Sequence, residues 1–156
     1  MADATTLLET LQPVLDHLTT VDVGDPGASA ALNAALPLAS DAVQAVRALV
    51  VAGLADGWLT PRGGPGMSYG RLSKATPAAQ GFSIDAVHMD RPGPEHTHPQ
   101  GEIDLCFALA GEPTFDGHPP GWLVLPPGSR HVPTVGGGDM VILYFLPGGA
   151  IQFHQG

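Results

Sequence analysis

The sequence predicts a mainly β protein, a small antiparallel sandwich or barrel with a helical segment in front of it. Three observations carry that expectation. The chain has 156 residues, the size of one ordinary domain. Before Trp58 its apolar residues recur at steps of three and four. After Trp58 they fall into short β-branched and aromatic runs separated by Gly and Pro.

From Thr5 to Leu18 the positions Leu7, Leu8, Leu11, Val14, Leu15 and Leu18 mark one face of a helix, with Pro13 expected to kink it or to open a new first turn. GDPGASAALNAALP reads as a short Ala-rich helix stopped by Pro37. A further helix follows Ser40, a plausible N-cap by residue type, and carries Val43, Val46, Leu49, Val50 and Leu54 on one side, with Gly53 and Gly57 near its end. These helices read as packing elements without catalytic groups. Strands are expected at 67–72, 82–89, 102–109, 121–126, 131–135, 140–146 and 151–154, too short and too close together for an α/β fold. The expected organisation is therefore a helical segment, 1–60, packing on the barrel or on a partner subunit, and a β-barrel, 61–156, that holds the site. The Gly-rich RGGPGM and GGGD are turns, since neither has the setting of a phosphate loop.

Hydrophobic residues make up 44% and charged residues 13% of the chain, the balance of a packed protein. Fifteen acidic residues face six basic ones, for a formal charge of −9, which argues against nucleic acid as a partner. The scarcity of cations draws attention to Arg71, Lys74, Arg91 and Arg130 as candidates for an anionic substrate. The N-terminus lacks the pattern of a signal peptide, and no apolar run reaches the roughly 18 residues of a membrane span. A cytoplasmic protein without membrane contact is expected, and the single Cys106 fits a reducing compartment. The apolar helices together with the barrel lead us to expect a homodimer.

The β region holds most of the seven histidines, among them His88, His96, His98, His118 and His131. Alternation along a strand sends His96 and His98 to one side. The same rule puts Glu102, Asp104 and Cys106 on one face of the next strand and Ile103, Leu105, Phe107 and Leu109 on the other. His131 is delivered by the turn in LPPGSRHVPT. Three imidazoles and a carboxylate suit a divalent ion such as Fe, Mn, Co, Ni or Zn and leave positions open for water or substrate, the arrangement of a reactive site.

In order, His96-Thr-His98-Pro-Gln-Gly-Glu102 and then Pro126-Pro-Gly128-Ser-Arg-His131 resemble the two metal-binding motifs of the cupins. The resemblance implies a cupin-type small antiparallel β-barrel preceded by the α-helical segment, and it makes His96, His98, Glu102 and His131 the metal ligands. Glu102 has the motif's spacing from His98, whereas Asp104 has its spacing to Gly111, so Asp104 stays as a competing carboxylate; the Asn that often closes the second motif is replaced by Val135. The strings GWLTPRGG, YGRLSK, HTHPQGEIDLCFAL, FDGHPPGWLVLPPGSRHVPTV and ILYFLPGGAIQF together look like the 4-hydroxylaminobenzoate lyase family.

That likeness implies conversion of 4-hydroxylaminobenzoate and water to 3,4-dihydroxybenzoate (protocatechuate) and ammonia in nitroaromatic degradation. A divalent ion would weaken the N–O bond as a Lewis acid or lower the pKa of bound water. Proton transfer is assigned first to Asp104, then to Glu95 and His118. Arg71 or Arg130 would pair with the benzoate carboxylate, and Tyr69 and Trp122 would hold the ring, with Phe107 a further candidate that falls on the core face. Because one ligand set hosts many reactions, a cupin dioxygenase or isomerase acting on another small organic acid stays open, as does a non-catalytic small-molecule-binding cupin.

Overall fold

A computed structural model describes residues 3–154. Helix α1 (Ala4–Thr10) starts where the Asp3 carboxylate accepts the Thr6 N–H at 2.8 Å. Helix α2 (Gln12–Leu18) follows after Leu11, with Pro13 in its first turn, where the missing N–H costs no helical bond. Pro13 thus opens a new first turn, the second of the two expected outcomes, and the apolar stripe survives the break because Leu11 keeps helical dihedrals. Helix α3 (Ala28–Ala35) precedes α4 (Asp41–Asp56), which Ser40 caps and Gly57 terminates. Gly57 stands at φ +84°, a left-handed cap that a side chain would strain.

Among the described residues nine strands follow: β1 (Arg62–Gly64), β2 (Met67–Ser73), β3 (Phe82–Met89), β4 (His96–His98), β5 (Glu102–Phe115), β6 (Gly121–Leu125), β7 (Ser129–His131), β8 (Val135–Pro147) and β9 (Gln152–Phe153). They form a six-stranded sheet in the order β1-β2-β3-β8-β5-β6 and a three-stranded sheet in the order β7-β4-β9, with neighbouring strands antiparallel throughout. The architecture is the mainly β, antiparallel cupin-type fold with helices ahead of it that was expected, built as a jelly roll whose two ladders stay separate and do not close into one continuous sheet. The expected strand at 131–135 is divided: β7 ends at His131 and β8 begins at Val135, because Pro133 has no N–H to continue a ladder. β5 and β8 run longer than expected and are paired through two register shifts near Ala110 and Gly111.

The two faces of the large sheet have different work. Ile103, Leu105 and Phe107 of β5 face outward and share one core with Leu7, Leu11, Leu15 and Val46 of the helices, all at most 1% exposed. Each such side chain contributes roughly 1.5–3 kcal/mol through burial. Cys106, Tyr144 and Ile142 face the interior of the roll with Met89 and Phe115. Helix α3 also seals the β6 edge: Asn33 Nδ2 donates to the Trp122 carbonyl and Asn33 Oδ1 accepts its N–H, both at 2.9 Å, while Ser29 Oγ accepts the Val124 N–H at 2.8 Å. That satisfies edge groups which would otherwise be open to another strand. Among the described residues no helix is long and apolar enough to cross a membrane.

Candidate metal centre

Strands β4 and β7 pair so that His96 stands directly opposite His131, and the pleat of β4 turns His98 to the same side. Glu102, the first residue of β5, meets them from the large sheet. One ligand atom from each of the four lies within 4.8 Å of the others. His96 Nε2 is 3.1 Å from His131 Nε2, and Glu102 Oε2 is 3.1 Å from His98 Nε2 and 4.0 Å from His131 Nε2.

The outward nitrogens are all engaged. His96 Nδ1 lies 3.0 Å from the Pro94 carbonyl, His98 Nδ1 2.9 Å from Ser129 Oγ, and His131 Nδ1 2.5 Å from Asp116 Oδ2. The carbonyl and the carboxylate require the proton on Nδ1, which leaves the Nε2 lone pair facing the cluster. Burial lowers the pKa of His96 by more than Glu102 raises it, which favours the neutral, ligating imidazole. His98 Nε2 and Glu102 Oε2 are buried without a hydrogen-bond partner among the described residues, though they face each other. Converging lone pairs and a carboxylate with nothing to donate to them fit a divalent cation, and three nitrogens with one oxygen suit Fe, Mn, Co, Ni or Zn.

Asp116 was not foreseen. It sits in the Asp-Gly turn after β5 at φ +49°, where its Oδ1 also accepts the Thr134 N–H at 2.8 Å. Half-burial pulls its pKa up, but the bonds from His131 and Thr134 outweigh that and hold the carboxyl below its usual value.

Beside the cluster opens a cavity of about 790 Å³, whose wall includes His96 and Glu102. Of the residues expected to hold substrate, Tyr69 and Arg71 are on its wall, together with Arg62, Tyr144 and Phe153, which the sequence did not single out. The other expected site residues lie elsewhere. Trp122 is 4% exposed, packs on Phe145 and donates from Nε1 to the Leu36 carbonyl at 2.8 Å, so it belongs to the helix-side core. Arg130 points outward with Thr97 and binds Glu95 at 2.7 Å, which places both of these charged groups off the cavity wall. His118 is an exposed turn residue whose backbone pairs with Phe115. His88 is partly exposed and lies 2.8 Å from Asp139, away from the cluster.

Asp104 is fully buried one pleat beyond Glu102, between Leu123 and Tyr144, and is not on the cavity wall. Burial, the neighbouring Glu102 and then Asp116 push its pKa well up from the usual carboxylate value. Of the two carboxylates that compete on motif spacing, Glu102 is the one grouped with the histidines.

An antiparallel jelly roll that brings together the two halves of a His-x-His-x3-Glu and Pro-x-Gly-x2-His pattern is a cupin. The family model for PnbB, 4-hydroxylaminobenzoate lyase, matches residues 9–153. This chain belongs to that family and is an enzyme of the lyase class. It is 34% identical over 134 residues to a 4-hydroxylaminobenzoate lyase of Pseudomonas putida, covering 73% of this chain and 75% of that protein. With the 4-hydroxylaminobenzoate lyase of Nocardioides sp. (strain LMS-CY) it shares 35% identity over 134 residues, 78% of each chain. Among solved structures, an RmlC-like cupin protein from Ralstonia eutropha JMP134 overlaps 58% of this chain and 61% of its own at 16% identity and a TM-score of 0.42. Oxalate oxidase in complex with the substrate analogue glycolate overlaps 58% of this chain and 56% of its own at 20% identity, with a TM-score of 0.42.

Proposed function

We propose that this protein converts 4-hydroxylaminobenzoate and water to 3,4-dihydroxybenzoate and ammonia in nitroaromatic degradation, with a divalent metal ion held by His96, His98, Glu102 and His131. The observation that carries the reading is the convergence of these four groups beside a cavity lined largely by apolar side chains, with His96 and Glu102 on its wall, in a chain of this family. The cavity lies within the size range of small-molecule sites, ample for a single-ring acid. The reaction is a net exchange of nitrogen for oxygen: the N–O bond breaks, an oxygen is added to the ring carbon beside the one bearing nitrogen, and water replaces the nitrogen as ammonia. When bound, the ion supplies Lewis acidity toward the hydroxylamine and lowers the pKa of water.

The protein's own groups have separable tasks. Asp116, Ser129 and the Pro94 carbonyl hold the three imidazoles by their Nδ1 atoms. Tyr69 and Phe153 offer ring faces at the cavity mouth, and Met67, Val87 and Leu146 keep the wall apolar. The Tyr144 hydroxyl makes a single long hydrogen bond among the described residues, 3.9 Å to Met89 Sδ, which leaves it available to a substrate group. Asp104 acts as a positioning residue behind Glu102, because it has no access to the cavity. Anaerobic incubation of metal-loaded protein with 4-hydroxylaminobenzoate should yield stoichiometric ammonium and 3,4-dihydroxybenzoate. No product under these conditions, or a requirement for oxygen, would reject this reading in favour of a cupin dioxygenase.

A further inference from the structure

We infer that Arg62 is the residue that receives the carboxylate of the aromatic acid, an assignment that rests on the reading just given and adds to it the group that sets specificity. Two guanidiniums line the cavity, Arg62 on β1 and Arg71 on β2. Arg71 is already satisfied: its Nε donates to Asp85 Oδ1 at 2.8 Å and its Nη2 to Oδ2 at 3.4 Å, and the two residues are register partners on β2 and β3. A carboxylate of this chain occupies the fork that a substrate carboxylate would need, and Asp85, itself on the cavity wall, repels a second anion.

Arg62 has no ion pair or side-chain hydrogen bond among the described residues. Its register partner is Tyr69, so the two side chains leave the sheet on the same side and flank the same opening. The polar groups of the cluster, His96 and Glu102, lie on the wall of the same cavity, and the remaining lining includes Met67, Val87, Leu146 and Ile151. An aromatic acid that directs its reactive substituent to the cluster therefore lays its ring on apolar side chains. Its carboxylate meets one uncompensated cation, Arg62. In a chain of net charge −9 an anion has few other cations to approach.

The test uses metal-loaded protein and benzoate as probe, with benzamide as its neutral counterpart, measured by titration calorimetry. Arg62→Gln should weaken benzoate binding about tenfold or more and leave benzamide unchanged, with Arg62→Lys intermediate, as expected for a partly solvated charge-assisted pair. Arg71→Gln should weaken benzoate less than Arg62→Gln does. Equal losses for benzoate and benzamide, no loss for benzoate, no benzoate binding by the wild type, or a greater benzoate-specific loss in Arg71→Gln would each overturn the assignment. If benzoate and benzamide are discriminated through Arg62 while 4-hydroxylaminobenzoate is not turned over, the lyase reading fails and the carboxylate receptor stands.

Discussion

Asp116→Asn tests whether the metal centre depends on the tautomer of His131. The wild-type carboxylate makes two bonds, to His131 Nδ1 at 2.5 Å and to the Thr134 N–H at 2.8 Å. Asparagine tolerates the left-handed backbone at this position and can keep the Thr134 bond through its amide oxygen, so the turn survives. The remaining NH2 then faces His131 Nδ1 and donates to it, which drives the imidazole proton to Nε2 and removes the lone pair from the cluster. Loss of such an outer partner costs about 10–100-fold in metal affinity. That is about 1.4–2.7 kcal/mol. Competition against a chelator of known affinity, with thermal melting of the metal-free protein as a folding control, reads the effect directly. Unchanged affinity in a variant that melts like the wild type would refute the role given to Asp116.

His96→Ala and His131→Ala should each abolish bound metal by elemental analysis and with it the activity, while circular dichroism keeps the β signature. Asp104→Asn, which keeps the shape of the side chain and removes its charge, should retain metal and lose less than about tenfold in kcat; a loss beyond about a hundredfold would make Asp104 a direct proton donor. Asn33→Ala should lower stability by about 1–3 kcal/mol in urea unfolding, because the Trp122 N–H and carbonyl lose their partners at the β6 edge. The Cys106 thiol is 1% exposed, and burial with Asp104 and Glu102 nearby raises its pKa, so it stays protonated across neutral pH. It should react with a colorimetric disulfide reagent only after unfolding.

Where a single periodicity governs, the sequence was readable. The period of two in EIDLCF assigned Glu102 and Asp104 to one face and Ile103 and Leu105 to the other, and the structure sends those faces to the interior and to the helices. The same rule, had it been carried across to β6, would have put Trp122 with Leu105, its register partner, and Leu123 with Asp104. It would also have found Tyr144, two residues from Ile142 within an apolar run and on the same face. Other features have no such local signal. β1 and β4 are three residues each and are strands by virtue of their pairing, not their propensity. Asp116 reaches the cluster from a turn tied to the distant Thr134, and Arg62 lines the cavity from β1, itself a strand only through its pairing with β2. Arg130 was misplaced because its side chain alternates with that of His131, the adjacent ligand.

The chain leaves the small sheet at β9, whose Phe153 is 60% exposed with its ring 5.6 Å from that of His96. His154 then ties back, sharing a 2.6 Å hydrogen bond with Thr97 Oγ1 and donating its N–H to the Glu95 carbonyl at 3.0 Å. A polyhistidine tag attached immediately behind this strand would therefore place extra imidazoles at the cavity mouth. It would inflate apparent metal stoichiometry and compete for the ion with the four native groups. A tag ahead of α1 begins on the opposite side of the large sheet, among the helices, and leaves the cavity clear. For this protein the choice of purification handle decides whether the metal content measured belongs to the enzyme.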